Sequence, residues 1–188
     1  MPRQLFDYDP PERFVAGTVG QPGSRTFFLQ ARTGTRMVSV ALEKSQLEIL
    51  AERVDDVLDE VVRRADDGPE VPGELPPDVE DNAPLETPIE EEFRVGTMSL
   101  AWDGDAERVI ITCYSQGLTP DEEEEGEEED PEEQDGALLR VSLSSIAARV
   151  FAKRALAVVA AGRPPCPFCA GPLDPEGHIC PRANGYRR

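Results

Sequence analysis

In the first part of the chain, apolar residues come in short runs broken by turn-forming residues. RFVAGTVGQPGSRTFFLQARTGTRMVSVALEK holds three such runs, about 13–19, 25–32 and 36–42, in which β-branched and aromatic side chains recur. Pro22-Gly23 suits the central pair of a type II turn, whose second position takes a positive φ that glycine adopts without steric cost. Thr33-Gly34 marks a second reversal. The three runs predict an antiparallel meander. Further on, FRVGTMSLAWDGDAERVIITCYSQ predicts two more strands, about 93–102 and 107–115, with the hairpin signal Asp103-Gly104 between them. ALLRVSLS predicts a sixth.

Two stretches change to a helical period. In SQLEILAERVDDVLDEVVRRA, Leu47, Leu50, Val54, Val57, Leu58 and Val61 fall on one stripe. Ser45 and Glu48 have capping-box spacing, and Arg63 and Arg64 sit in the last turn, where cations complement the helix dipole. A helix over about 45–65 follows. SSIAARVFAKRALAVVAAG predicts a second, capped by Ser144 or Ser145 and stopped by Gly162 before Pro164-Pro165. It is apolar around most of its circumference and is expected to be buried, with Arg149 and Lys153, four apart, on its exposed side. The fold class read from these patterns is α+β: a mostly antiparallel sheet of about six strands with two helices packed on it.

Between the patterned stretches lie two acidic tracts. Residues 66–92 carry 11 acidic groups and 121–135 carry 12, neither with a basic residue. Both are poor in large apolar groups and cannot bury enough surface to offset the entropy of ordering, so both are read as flexible loops. They also account for the formal net charge of -19 over 188 residues: the remainder of the chain is at +4, and residues 137–188 are at +6. The length fits one domain, 1–162, with an appendage at 163–188. No apolar run approaches the roughly 20 residues that span a bilayer, and MPRQLFDYDPPERF has no apolar signal region. A cytoplasmic location is expected, where paired cysteines are metal ligands or redox groups more often than disulfides.

The appendage holds the strongest chemical signal. Three of the four cysteines and the single histidine lie within CPFCAGPLDPEGHIC. Cys166 and Cys169 have the spacing of a zinc knuckle, and His178 and Cys180 complete a Cys3His set for tetrahedral Zn2+. The stretch is too poor in apolar residues to build a core, and metal binding would supply folding free energy, typically more than about 10 kcal/mol in small zinc modules. The His-x-Cys half is unusual: on an extended strand the two side chains point to opposite faces, so both ligate only if the backbone turns. A redox Cys pair fits poorly, because that motif opens a helix and Pro167 does not favour one.

Other candidates are weaker. GTVGQPGSR lacks the Gly-Lys-Ser/Thr ending of a phosphate loop and reads as a hairpin. Cys113 reads as a buried strand residue, and Asp7 and Asp9 as part of an exposed N-terminal arm. With the histidine assigned to the metal, no base remains for a Ser or Cys nucleophile, and no catalytic residue is marked. Arg149, Lys153, Arg154, Arg163, Arg182, Arg187 and Arg188 form a candidate footprint for an acidic partner.

FVAGTVGQPGSRTFFLQA and CPFCAGPLDPEGHICPRANGY together resemble an uncharacterised actinobacterial domain-of-unknown-function family, number 3090, over essentially the whole chain. The resemblance implies a cytoplasmic bacterial protein and brings no activity with it. The favoured reading is a non-enzymatic accessory or adaptor protein whose zinc knuckle docks a protein or nucleic-acid partner. Two others stay open: an enzyme acting on a phosphorylated or nucleotide-type substrate with the zinc purely structural, and a nucleic-acid-binding regulator.

Overall fold

The computed structural model describes residues 4–64, 79–118, 136–162, 166–171, 173, 178 and 180–182. The elements run β1 (Gln4–Tyr8), β2 (Arg13–Val19), β3 (Thr26–Thr33), β4 (Arg36–Leu42), α1 (Lys44–Arg64), β5 (Glu91–Asp103), β6 (Arg108–Ser115), β7 (Ala137–Ser144) and α2 (Ser145–Ala160). The class is α+β, but the sheet has seven strands rather than six, in the order β1-β7-β6-β5-β4-β3-β2. The added strand is β1, which holds Asp7, so that residue is not part of a loose arm. β1 pairs parallel with β7, and β4 pairs parallel with β5 through a β-α-β connection that contains α1; the remaining neighbours are antiparallel.

β5 is the hinge of the sheet. Its first residues pair with β4, while Val95 onward pairs with β6, and the register shifts between Val95 and Thr97. Gly96 lies at the shift, where a Cβ would come within 2.9 Å of Gln116 Cα, so only glycine lets the two backbones approach. The resulting curl brings β1 back toward the middle strands: Phe6 stacks on Phe93, and the Arg36 guanidinium sits over the Tyr8 ring and donates to the Asp7 carbonyl.

Both helices pack inside this curl. α1 buries Leu47, Leu50, Ala51, Val54 and Leu58, and α2 buries Ala148, Phe151, Ala152, Ala155 and Val159. The Phe14 and Phe151 rings stack with centroids 4.6 Å apart. α2 is capped as expected, Ala147 N–H donating to Ser144 Oγ. α1 starts one residue earlier than its sequence signal. Glu43 N–H donates to Gln46 Oε1, so Gln46 and not Glu48 closes the cap. The Gln46 amide also donates to the Val95 and Gly96 carbonyls, tying the helix start to the bend in β5. Arg149 was expected in solvent. It lies between the helices instead, 15% exposed, donating to Asp55 and Asp59 of α1. Those carboxylates stand one turn apart and form a two-point acceptor for its guanidinium.

The expected flexible loop 66–92 is described from residue 79. Residues 91 and 92 already belong to β5, and 79–90 form a non-regular strap held against the outer face of β2 and β3. Gln30 exchanges hydrogen bonds with the Glu86 backbone through its amide oxygen and nitrogen. Leu85 fills the space over Gly17, where a Cβ would approach its Cγ to 2.5 Å. Arg13 makes a two-point contact with Asp81, Arg32 reaches Glu86, and Lys153 reaches Glu80. Arg154, 11% exposed, comes round the free edge of β2 to meet the Ala16 carbonyl and Asp81. An unpaired strand edge invites pairing with another chain, and this strap blunts it. The tract 121–135 lies outside the described residues. No helix among those described is long and apolar enough to cross a membrane.

The strap makes stability depend on Asp81. Hydrogen bonding to Arg13 holds the Asp81 carboxyl below its ordinary value of 3.8. A carboxylate depressed in the folded state stabilises fully above that ordinary value and loses its contribution as pH falls through the depressed one. Asp81→Asn is expected to cost about 1–3 kcal/mol at pH 7, because it leaves Arg13 and Arg154 without their carboxylate. Urea midpoints measured across pH should show wild type and variant converging below pH 3.8. A difference that persists unchanged at low pH would show that the ion pair is not its source.

Candidate metal centre

Beyond Gly162 the described chain resumes at Cys166 and closes a tight loop. Ala170 N–H donates to the Cys166 carbonyl and Cys166 N–H to the Gly171 carbonyl, at 2.8 and 2.7 Å. Ala170 takes φ 58°, which turns the backbone sharply after Cys169. The loop holds Cys166 and Cys169 on the same side, and Phe168 N–H points at Cys166 Sγ from 3.5 Å. A backbone donor aimed at sulfur favours its anionic form, the form that binds metal.

His178 and Cys180 come to the same place. The four ligand atoms lie within 4.8 Å of one another, with Cys166 Sγ 3.8 Å from Cys180 Sγ and Cys169 Sγ 3.2 Å from His178 Nε2. Two sulfurs at about 2.3 Å from a tetrahedral ion stand about 3.8 Å apart, and a sulfur and an imidazole nitrogen stand about 3.5 Å apart. The thiols are free, as this spacing requires. The set fits one tetrahedral metal ion, and the histidine, whose part depended on a turn before Cys180, is in it. Cys166 and Cys180 are buried, while Cys169 and His178 are half-buried. The fourth cysteine stands apart. Cys113 lies in the core on β6, where burial pushes its thiol up to about 12, beyond reach of metal or oxidant chemistry at neutral pH.

The candidate partner contacts divide into three groups. Arg149, Lys153 and Arg154 are committed to carboxylates of α1 and the strap. Arg182 stays with the knuckle, donating to the Phe168 carbonyl at 3.2 Å. Arg163, Arg187 and Arg188 lie outside the described residues. Phe168, between the two knuckle cysteines, is 43% exposed.

GTVGQPGSR is the β2–β3 hairpin, with Ser24 N–H donating to the Gln21 carbonyl across Pro22-Gly23. Near that hairpin is a feature the residue patterns did not show, a cavity of about 660 Å³ among the ends of α1 and α2. Arg25, Lys44 and Glu48 line it with Phe27, Leu156 and Val159. Arg25 donates to the Val158 and Ala161 carbonyls at the end of α2 and stacks over Phe27. Its walls come from the β2–β3 hairpin, the start of α1 and the end of α2, which are far apart in sequence, so no local motif announces it.

No curated protein and no solved structure matches the chain. Residues 6–180 match the family described as "Protein of unknown function (DUF3090)". The match takes in the sheet from Phe6 onward, both helices and all four candidate metal ligands, and the chain belongs to that family.

Proposed function

We propose that the chain is a non-enzymatic cytoplasmic accessory protein that carries one structural zinc ion in its C-terminal knuckle and docks a partner there. The convergence of Cys166, Cys169, His178 and Cys180 carries this reading. Three sulfurs and one imidazole are a soft donor set that suits zinc, and a set filled by four protein ligands leaves no open position for catalysis. The body spends Arg149 and Arg154 internally, and Lys153 pairs with Glu80 at the surface. Among the described candidate contacts that leaves Arg182, whose guanidinium donates to the carbonyl of exposed Phe168. Such a pair suits an acidic protein segment or a single-stranded nucleic acid, which stacks on aromatic rings.

Untagged protein purified without added metal should carry one zinc per chain by elemental mass spectrometry. The Cys166→Ser, Cys169→Ser double variant should carry none. Metal-free wild-type protein under reducing conditions would remove the centre.

Removal of residues 164–188 should leave the far-ultraviolet circular dichroism of the body intact and abolish capture of its partner. A truncated chain that captures the same partner as the full chain would place docking elsewhere. If the partner is a nucleic acid, binding should weaken steeply with salt and strengthen when 121–135 are deleted.

The cavity at the helix ends favours a second reading, an enzyme or binder for a phosphorylated small molecule. Lys44 opens α1, where helix N–H groups and a cation together attract anions, and Arg25 lies across from it. Titration with inorganic pyrophosphate, followed by amide shifts at Lys44 and Gly23, should then show saturable binding that Lys44→Ala weakens about tenfold. No saturable shift would leave the knuckle as the one functional site.

A further inference from the structure

The core leaves two valines of α1 unused. Val57 and Val61 belong to the apolar stripe of the helix, yet the buried set stops at Leu47, Leu50, Ala51, Val54 and Leu58. The two valines instead form one wall of a cavity of about 420 Å³ between the last turns of α1 and the tip of the β5–β6 hairpin. Trp102, the single tryptophan of the chain, forms the opposite wall, and Gly104 stands at the mouth. The volume lies in the range of about 300–1,000 Å³ typical of small-molecule sites. A cavity walled by an indole and two aliphatic side chains excludes strongly hydrated ligands and accepts an apolar body.

The rim sets the charge. Arg64 and Glu60 reach it but neutralise each other at 2.5 Å, with Arg63 also on Glu60. Glu107 is the third charged group there, and among the described residues no hydrogen bond or ion pair engages its side chain. Its backbone is also unusual. The hairpin turn is fixed by Asp103, whose carboxylate accepts from the Asp105 and Ala106 N–H groups, and Glu107 then takes φ 53°. Glycine is the usual residue at such a left-handed position near a hairpin end. Glutamate there carries strain that a carboxylate facing the cavity would explain.

We propose that this cavity binds a small organic cation: an ammonium group on an apolar, preferably aromatic, body. The body enters between Trp102, Val57 and Val61, and the ammonium lies between the indole face and the Glu107 carboxylate. Cation–π attraction and the Glu107 carboxylate then act on the same group. An anionic ligand of equal size meets Glu107 with the wrong sign.

Because Trp102 is the only tryptophan, its emission reports on this cavity alone. The probe is phenethylammonium, titrated into the full chain at low salt, with 3-phenylpropionate as the anionic control. Amide shifts of Val61 and Gly104 provide a second readout. Expected are a saturable change in Trp102 emission with the amine, little with the acid, and affinity about 3- to 10-fold weaker in Glu107→Gln. Glu107→Gly separates function from folding. It should raise the melting temperature by relieving the left-handed residue and still weaken amine binding, whereas a purely structural Glu107 would alter stability alone. Equal binding of acid and amine, unchanged affinity in Glu107→Gln, or no saturable response in emission and amide shifts would overturn the proposal.

Discussion

The bend in β5 is the constraint on which the rest of the structure depends. One strand serves two partners of opposite sense, running parallel to β4 and then antiparallel to β6. Its first residues go to β4 and those from Val95 onward to β6. The register shifts at Gly96, and Gln46 takes up two of the carbonyls at the shift. Because Gln46 also caps α1, the helix cannot be placed independently of the bend. α2 then packs against α1 and β2 inside the same curl, with Phe151 on Phe14. The hairpin tip that faces the last turns of α1 is likewise carried by β5, so the Trp102 cavity is a by-product of that curvature.

Charge in this protein is misleading when summed. The formal value of -19 belongs to a chain whose folded body uses its cations with care. Arg13 and Arg154 are almost fully covered, at 13% and 11% exposure, and a covered guanidinium is tolerable only with a partner. The acidic strap supplies Asp81 and Glu86 to the arginines of β2, β3 and α2. Acidic residues that look like surplus in the composition are therefore counter-ions in the structure. A basic footprint drawn from residue counts overestimates what the body can offer a partner, and attention moves to the knuckle.

Legibility in the sequence follows the range of the interactions. Strands β2 to β7 and both helices were readable because their signals are local: alternation, turn glycines, a 3.6-residue stripe and a serine cap. The donor set was readable because cysteine and histidine spacing is itself the chemistry. β1 was not, since QLFDY is five residues between charged and proline-rich neighbours and earns its place only by pairing with a strand more than 130 residues away. The anchored part of 66–92 was missed for a related reason. Low hydrophobicity and high charge indicate disorder only when the charges lack partners, and those of Asp81 and Glu86 stand on β2, β3 and α2. Arg149 was misplaced because its acceptors lie on the other helix, 90 and 94 residues away.

The knuckle and the body are built on different principles, and this bears on what the metal does. The main hydrophobic cluster runs from Tyr8 through both helices to Val159 and includes neither Cys166 nor Cys180, although both are buried. Their burial is local, within a loop closed by backbone hydrogen bonds at Cys166 and Ala170. A few such bonds, each worth about 1 kcal/mol net, do not offset the entropy of ordering a stretch rich in proline and glycine turns. A single ion held by Cys166, Cys169, His178 and Cys180 would, and none of the four belongs to the main hydrophobic cluster. An ion bound there would order the surface that carries Phe168 and Arg182.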